Sequence, residues 1–283
     1  MNTDDYQLLD SGNGRKLERF GRYVLARPAS QAIWRPQLST DAWDKAHAYF
    51  SRDEDNRWYN RHNLPDTWQI TVEGVRFQLK PTDFGHLGVF PEQRFTWRWL
   101  QETIADLKKD QDEVHVLNLF AYSGGASLAA ARGGANVCHL DASQGMVQWA
   151  GENAKLNGLE KAPIRWIVDD ASKFLAREIR RGRRYDGIIL DPPTFGRGNR
   201  GELFKIEEHL VPLLQNCREL LVDPPKFVLL SCHTPGITPI CLTHLLKGMM
   251  DGIDGDVTSG EMVLEGKCLP LPSGSYAHWH TKS

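Results

Sequence analysis

The run Tyr185-Asp186-Gly187-Ile188-Ile189-Leu190-Asp191-Pro192-Pro193-Thr194-Phe195-Gly196 carries the residue types best suited to chemistry. A β-branched apolar stretch ends in Asp191. Pro192 and Pro193 then stiffen the chain and remove two backbone donors. Phe195 follows within reach. The segment therefore presents a carboxylate, backbone carbonyls without competing amides, and a flat ring. That set suits a planar, amine-bearing substrate such as a nucleobase. Prolines also end strands for purely structural reasons. An acidic residue at the carboxyl end of a strand counts against that plain reading, because open α/β sheets bind ligands there.

A second constellation precedes it. Asn118-Leu119-Phe120-Ala121-Tyr122-Ser123-Gly124-Gly125-Ala126-Ser127 reads as a strand end, a turn with paired glycines, and a helix start. Glycine lets the backbone approach a ligand closely. Asp141 ends the next strand, about twenty residues on, where an acid bonds ribose hydroxyls in nucleotide-binding sheets. Asp169-Asp170 ends the third, a natural place to bond an adenine amino group. Asp141 and Asp169 could instead be helix N-caps. The series as a whole favours a nucleoside. The glycine triplet of a dinucleotide site and the lysine of a P-loop are both missing. An adenosine-type ligand without phosphates fits better, S-adenosylmethionine foremost.

The elements that must hold these groups alternate. Strands are expected over 114–120, 136–141, 164–168, 185–191 and 226–231, with helices over 126–132, 146–156, 171–181, 210–221 and 238–250. Two tail strands, 257–264 and 275–280, could pair as a hairpin. Alternation of this kind predicts an α/β fold with a doubly wound, mainly parallel sheet. The first part of the chain differs. Residues 6–20 and 68–80 read as hairpins around Gly12-Asn13-Gly14 and Glu73-Gly74, and 95–109 as an amphipathic helix. A proline-marked connection runs from Arg27-Pro28 to Arg35-Pro36. The expected division is a small β-rich substrate module at 1–70, a hairpin and lead-in helix at 71–112, and a cofactor-binding domain at 113–283.

The bulk numbers set limits. The chain has 283 residues, 41% hydrophobic and 25% charged, with a formal net charge of −2. That charge gives no global footprint for nucleic acid, so such binding must rest on local patches. No run approaches the ~18 apolar residues of a membrane span. The acidic N-terminus has no signal-peptide core. The five cysteines are scattered without a CxxC pair, which argues against a zinc ribbon or disulfide framework and fits a reducing cytoplasm. No metal site and no membrane contact are expected; the chain leaves monomer or dimer open.

Together the motifs resemble class I S-adenosylmethionine-dependent methyltransferases. Leu117 to Ser127, Asp141-Ala142-Ser143 and Asp191-Pro192-Pro193-Thr194-Phe195 are most similar to bacterial large-subunit rRNA methyltransferases of the I and K/L types. The stretch Phe84 to Arg94 resembles the family's segment before the catalytic domain. The resemblance covers roughly 70–283. It implies a Rossmann-like methyltransferase fold with seven strands, the last antiparallel. It implies cofactor contacts from Gln93, Asn118, Phe120, Ala121, Tyr122, Ser123, Gly124, Asp141, Ala142, Ser143, Asp169, Asp170 and Asp191. The Asp191 motif and the basic loop beside it favour a base in RNA as substrate, rRNA first, while the choice of RNA does not carry over from the resemblance. Asn118 stands where an acid is usual, though asparagine also occurs in these rRNA families. The N-terminal PUA domain of the I-type enzymes is not recognisable in 1–70.

Two chemistries are open. For nitrogen methylation, Asp191 and the Pro192 carbonyl hold the base, Pro193 stiffens the segment and Phe195 stacks on the ring; acceleration comes from alignment and electrostatics. For cytosine C5 methylation a thiolate must add to C6 first. Cys232, in Ser231-Cys232-His233, is the candidate nucleophile, matching a Ser-Cys-Ser stretch of the I-type families. Its plainer reading is a small strand-end cysteine. His233 could lower that thiol's pKa or face solvent. Lys173, Arg177, Arg180, Arg181, Arg183 and Arg184 read as a solvated face. Arg15, Lys16, Arg19 and Arg22 form another basic group in the N-terminal hairpin. Arg197, Arg200 and Lys205, in or beside the flexible glycine-rich loop 196–201, are better placed to meet RNA where a flipped base would enter. Trp34, Trp43, Trp58 and Trp68 could stack on bases, although core roles are more ordinary. Outside RNA methylation stand a methyltransferase for a small molecule or protein, a nicotinamide oxidoreductase, and a non-catalytic module that keeps the cofactor pocket.

Overall fold

A computed structural model describes residues 5–52, 56–197, 201 and 203–282. The chain divides into two units, Met1–Arg94 with Val263–Ser273, and Phe95–Met262 with Gly274–Ser283.

The first unit contains β1 (Tyr6–Gly12), β2 (Arg15–Phe20), β3 (Tyr23–Pro28), the short helix α1 (Thr40–Asp44), β4 (Ala48–Ser51), β5 (Arg57–Tyr59), β6 (Trp68–Val72) and β7 (Val75–Leu79). Strands β1 to β5 form one sheet in chain order, and β6 and β7 a separate hairpin. Both expected hairpins are present. Strands β3, β4 and β5 were not expected. Pro28 is the last residue of β3, where its missing donor costs little. β4 has four residues and β5 three, too few to show a period.

Each of the four early indoles is tied down within this unit. Trp43 Nε1 donates to Asp10, Trp34 Nε1 to the Ser11 carbonyl, Trp58 Nε1 to Thr82 and Trp68 Nε1 to Phe20. These are structural positions, the more ordinary of the two roles.

The core of the unit holds a charge. Glu18 is fully buried, and its carboxylate accepts from Arg27 Nε at 2.8 Å, Arg27 Nη2 at 3.0 Å and Tyr6 Oη at 2.9 Å. Burial alone would raise the Glu18 carboxyl, but the Arg27 and Lys16 charges outweigh it and hold it below its usual range. Removing one partner of a buried pair strands the other charge, at a cost of about 3–5 kcal/mol. Glu18→Ala is therefore expected to lower the urea midpoint sharply. An unchanged midpoint would contradict this account of the core.

The second unit contains α2 (Arg94–Asp110, counted from its first turn), β8 (His115–Leu119), α3 (Gly125–Arg132), β9 (Asn136–Asp141), α4 (Gln144–Leu156), β10 (Ile164–Val168), α5 (Ala171–Arg180), β11 (Gly187–Leu190), β12 (Phe195–Arg197), β13 (Leu203–Lys205), α6 (Ile206–Leu220), β14 (Phe227–Cys232), α7 (Pro239–Met249), β15 (Gly255–Leu264) and β16 (Leu271–Thr281). The last two run across the boundary between units, and Arg94, the first residue of α2, belongs to the first unit. The main sheet has seven strands in the order β10-β9-β8-β11-β14-β16-β15. The ladders from β10 to β14 are parallel, and β16 runs antiparallel to β14. This is the doubly wound, mainly parallel sheet expected from the alternation.

Its two faces are covered by different helices. Leu117 and Leu119 of β8, Cys138 and Leu140 of β9 and Leu230 of β14 pack with residues of α5, α6 and α7. Val116, Val137 and Leu229 face the other way, with residues of α2 and α3. Successive residues alternate between the two layers, as the pleat requires. Strands buried on both faces read as continuous apolar runs, which is why they stand out in the sequence.

Candidate active site

The site is built by register. Leu119 pairs with Leu140 and Leu190, and Leu190 pairs with Leu230. Asp141 pairs with Val168. One step beyond, Phe120, Asp141, Asp191 and Ser231 therefore stand at one level on the carboxyl edge. The chain order reverses between β8 and its neighbour β11. Such a switch point opens a crevice at the strand ends.

The turn after β8 is strained. Phe120 has φ 57°, Tyr122 φ 50° and Gly124 φ 96°. Bulky residues at positive φ cost of order 1–3 kcal/mol each and cluster at functional sites. A Cβ on Gly124 would also lie 3.0 Å from that of Ala150. Fixed hydrogen bonds offset this strain. The Ala121 amide donates to Leu140 O, the Tyr122 amide to Asp141 Oδ2, and Asn153 Nδ2 to Ser123 O. Asp141 Oδ1 accepts from the Ser143 amide at 2.8 Å. Burial raises the Asp141 carboxyl, and the Ser143 and Tyr122 amides act against that rise.

The helix caps fall beside the acids first considered for them. Ser143 caps α4 and Asp170 caps α5. Asp141 is thus a turn anchor rather than a cap. Asp169 pairs with Arg177 and accepts the Asp170 amide. Asn118 is buried, and its amide donates to Ser127 Oγ at 2.9 Å.

On the substrate side, Asp191 Oδ1 accepts from Ser231 Oγ at 2.8 Å and lies 3.4 Å from His233 Nδ1. The hydroxyls of Thr194 and Thr234 are 2.7 Å apart. Two loops from neighbouring strands are thereby stitched together. Pro192 is buried, whereas Phe195 is 52% exposed. The stretch around Phe195 forms a short hairpin of β12 with β13. On one face Phe195 and Arg197 oppose Lys205 and Leu203, all exposed. On the other, Phe204 lies 5.2 Å from the Phe120 ring. Arg200 lies outside the described residues.

Cys232 is fully buried, and alternation along β14 sends it into the layer of α5 to α7. Its Sγ accepts the Thr234 amide at 3.4 Å. Ser231 points to Asp191; Cys232 faces the opposite side of the sheet. His233, considered for the thiol, has its ring at Asp191 instead. Gln93 is buried in the 3₁₀ turn Pro91–Gln93 of the first unit. Around α5, Arg165 and Arg181 bind Glu178 at 3.1 and 3.0 Å. That basic group is partly spent on structure.

A family model for S-adenosylmethionine-dependent methyltransferases matches residues 25–247. The chain belongs to this family. It is 42% identical to a S-adenosylmethionine-dependent methyltransferase from Agrobacterium tumefaciens, with TM-score 0.92 over 98% of this chain and 91% of that one. A methyltransferase solved in complex with S-adenosylhomocysteine shares the fold at 18% identity, TM-score 0.77, over 99% of this chain and 76% of that one. The ribosomal RNA large subunit methyltransferase K/L of Pseudoalteromonas atlantica is 36% identical over 155 residues, 54% of this chain and 20% of that protein. The chain thus spans about a fifth of the length of that curated relative.

The residues present fit the cofactor. The strained turn brings backbone to the crevice, and the half-buried Asp141 carboxylate stands at the end of the second strand of the sheet. Bound there, the cofactor supplies an electrophilic methyl group on sulfur. Among the described residues there is no helix long and apolar enough to cross a membrane, and no cluster of His, Cys, Asp or Glu that could hold a metal. Asp141→Ala is expected to weaken S-adenosylhomocysteine binding by about tenfold or more in calorimetry, the cost of one charged hydrogen-bonding partner. Wild-type affinity would contradict the reading of the crevice.

Burial pushes His139, beneath the turn, down to about 3. It is neutral in the fold, whereas the unfolded chain takes a proton below about 6.5. Its contribution is thus fully present above that value. It is lost as pH falls from about 6.5 towards 3, by about 1.4 kcal/mol per unit. Denaturant midpoints measured across that range should fall with pH, and less steeply in His139→Asn.

Proposed function

We propose that the chain methylates a nitrogen of a base in RNA, with rRNA the first substrate to test. The observation that carries this reading is Asp191, held at the level of the cofactor turn and followed by two prolines and an exposed aromatic. Partial similarity to rRNA methyltransferases K/L supports it. In this reading Phe120 to Gly124, Asp141, Ala142, Ser143, Asp169 and Asp170 line the cofactor crevice. Asp191 and the Pro192 carbonyl accept hydrogen bonds from the base amine and aim its nitrogen lone pair. Phe195 stacks on the ring, and Arg197 and Lys205 meet flanking phosphates.

Nitrogen is preferred to carbon because Cys232 is fully buried on the far face of the sheet. Amine methylation needs alignment and electrostatics but no covalent step. A small-molecule or protein acceptor is the second reading, favoured by the net charge of −2.

The test is transfer of labelled methyl to total RNA from cells lacking the gene. Wild-type protein should label it, Asp191→Ala should not, and Cys232→Ala should retain activity. Ser231→Ala should lower kcat by roughly tenfold, the loss of one hydrogen bond to a charged group, with cofactor affinity unchanged. Transfer to protein or a metabolite alone would overturn the RNA reading. Loss of turnover in a folded Cys232→Ala would restore the carbon route.

A further inference from the structure

Asn118, Ser127 and His139 form a polar chain inside an otherwise apolar layer. Asn118 and His139 are registered partners on β8 and β9, and alternation turns both towards α3. Their neighbours on that face are Val116, Val137, Ala130, Ile104 and Leu100. Ser127, in the first turn of α3, comes down between them. Its Oγ lies 2.9 Å from Asn118 Nδ2 and 2.9 Å from His139 Nδ1. All three residues are at most 2% exposed. Burying three polar side chains is costly unless they bond one another.

We propose that this chain is a positioning relay that fixes α3, and with it the strained cofactor turn, over the sheet. It is independent of the methyl acceptor. Asn118 Nδ2 can only donate, so Ser127 Oγ accepts from it. In the relay the one serine hydrogen goes to His139 Nδ1. His139 then carries its proton on Nε2, which is buried without a hydrogen-bond partner, its ring 4.8 Å from that of Trp166 between centroids. The relay requires a neutral imidazole, in keeping with its depressed pKa.

The test has two parts. Ring nitrogen NMR of the wild-type protein, assigned with His139→Asn, should show the Nε2–H tautomer. In calorimetry with S-adenosylhomocysteine, Ser127→Ala and His139→Leu should each raise Kd about tenfold, the cost of one stranded buried group. His139→Asn keeps an acceptor near the Nδ1 position and should stay within about threefold of wild type. A protonated Nδ1, or wild-type affinity in folded Ser127→Ala, would overturn the relay. If Ser127→Ala fails to fold, the tautomer and the contrast between Asn and Leu at 139 still decide.

Discussion

A slip of one residue between β8 and β11 would turn every side chain of one strand to the opposite face. It would also move Asp191 off the level of Phe120. The apolar layers prevent this slip. Leu117, Leu119, Ile188 and Leu190 are all at or near zero exposure in one cluster, so shifting one strand would bury the wrong set against α5 to α7. At roughly 25 cal/mol per Å² of apolar surface, such a mismatch outweighs any single hydrogen bond at the edge. The position of the candidate site is thus set by hydrophobic packing several residues below it.

The fold was legible where packing is two-sided. The strand from Asn136 to Asp141 and the one from Ile164 to Val168 stand at the expected residues. The same signal fails for short or edge elements. β5 has only three residues, and Pro28 reads as punctuation although it closes a strand. The segment of β12 and β13 reads as loop in the sequence because Gly196 and Arg197 carry no strand period; the ring contact between Phe204 and Phe120 favours the hairpin instead.

The candidate site was legible as a set of strand ends but not as a network. Asp191 and Asp141 stand out because acids at the ends of apolar runs are conspicuous. Ser231 does not, and His233 draws notice only beside Cys232, because the value of both depends on Asp191, some forty residues away in sequence. The single clue is the parity of β14. Ser231 and Cys232 must face opposite sides, so the residue beside Asp191 could be one or the other. Only the register of Leu190 with Leu230 decides it. Ser127 and His139 were hidden for the same reason, being ordinary polar residues until β8 and β9 are paired.

Buried polar groups are sparse in the main sheet, and two sets sit next to the crevice. One links Asp191 to Ser231; the other links Asn118 to His139 through Ser127. Both join neighbouring strands at or one turn below the carboxyl edge. A purely apolar edge would be cheaper to bury, but dispersion contacts are weakly directional. Hydrogen bonds fix orientation as well as distance. Methyl transfer asks for that, because a nucleophile out of line with the donor group loses most of the advantage of being bound. In this sheet apolar packing supplies stability and register, and the few buried hydrogen bonds supply angle.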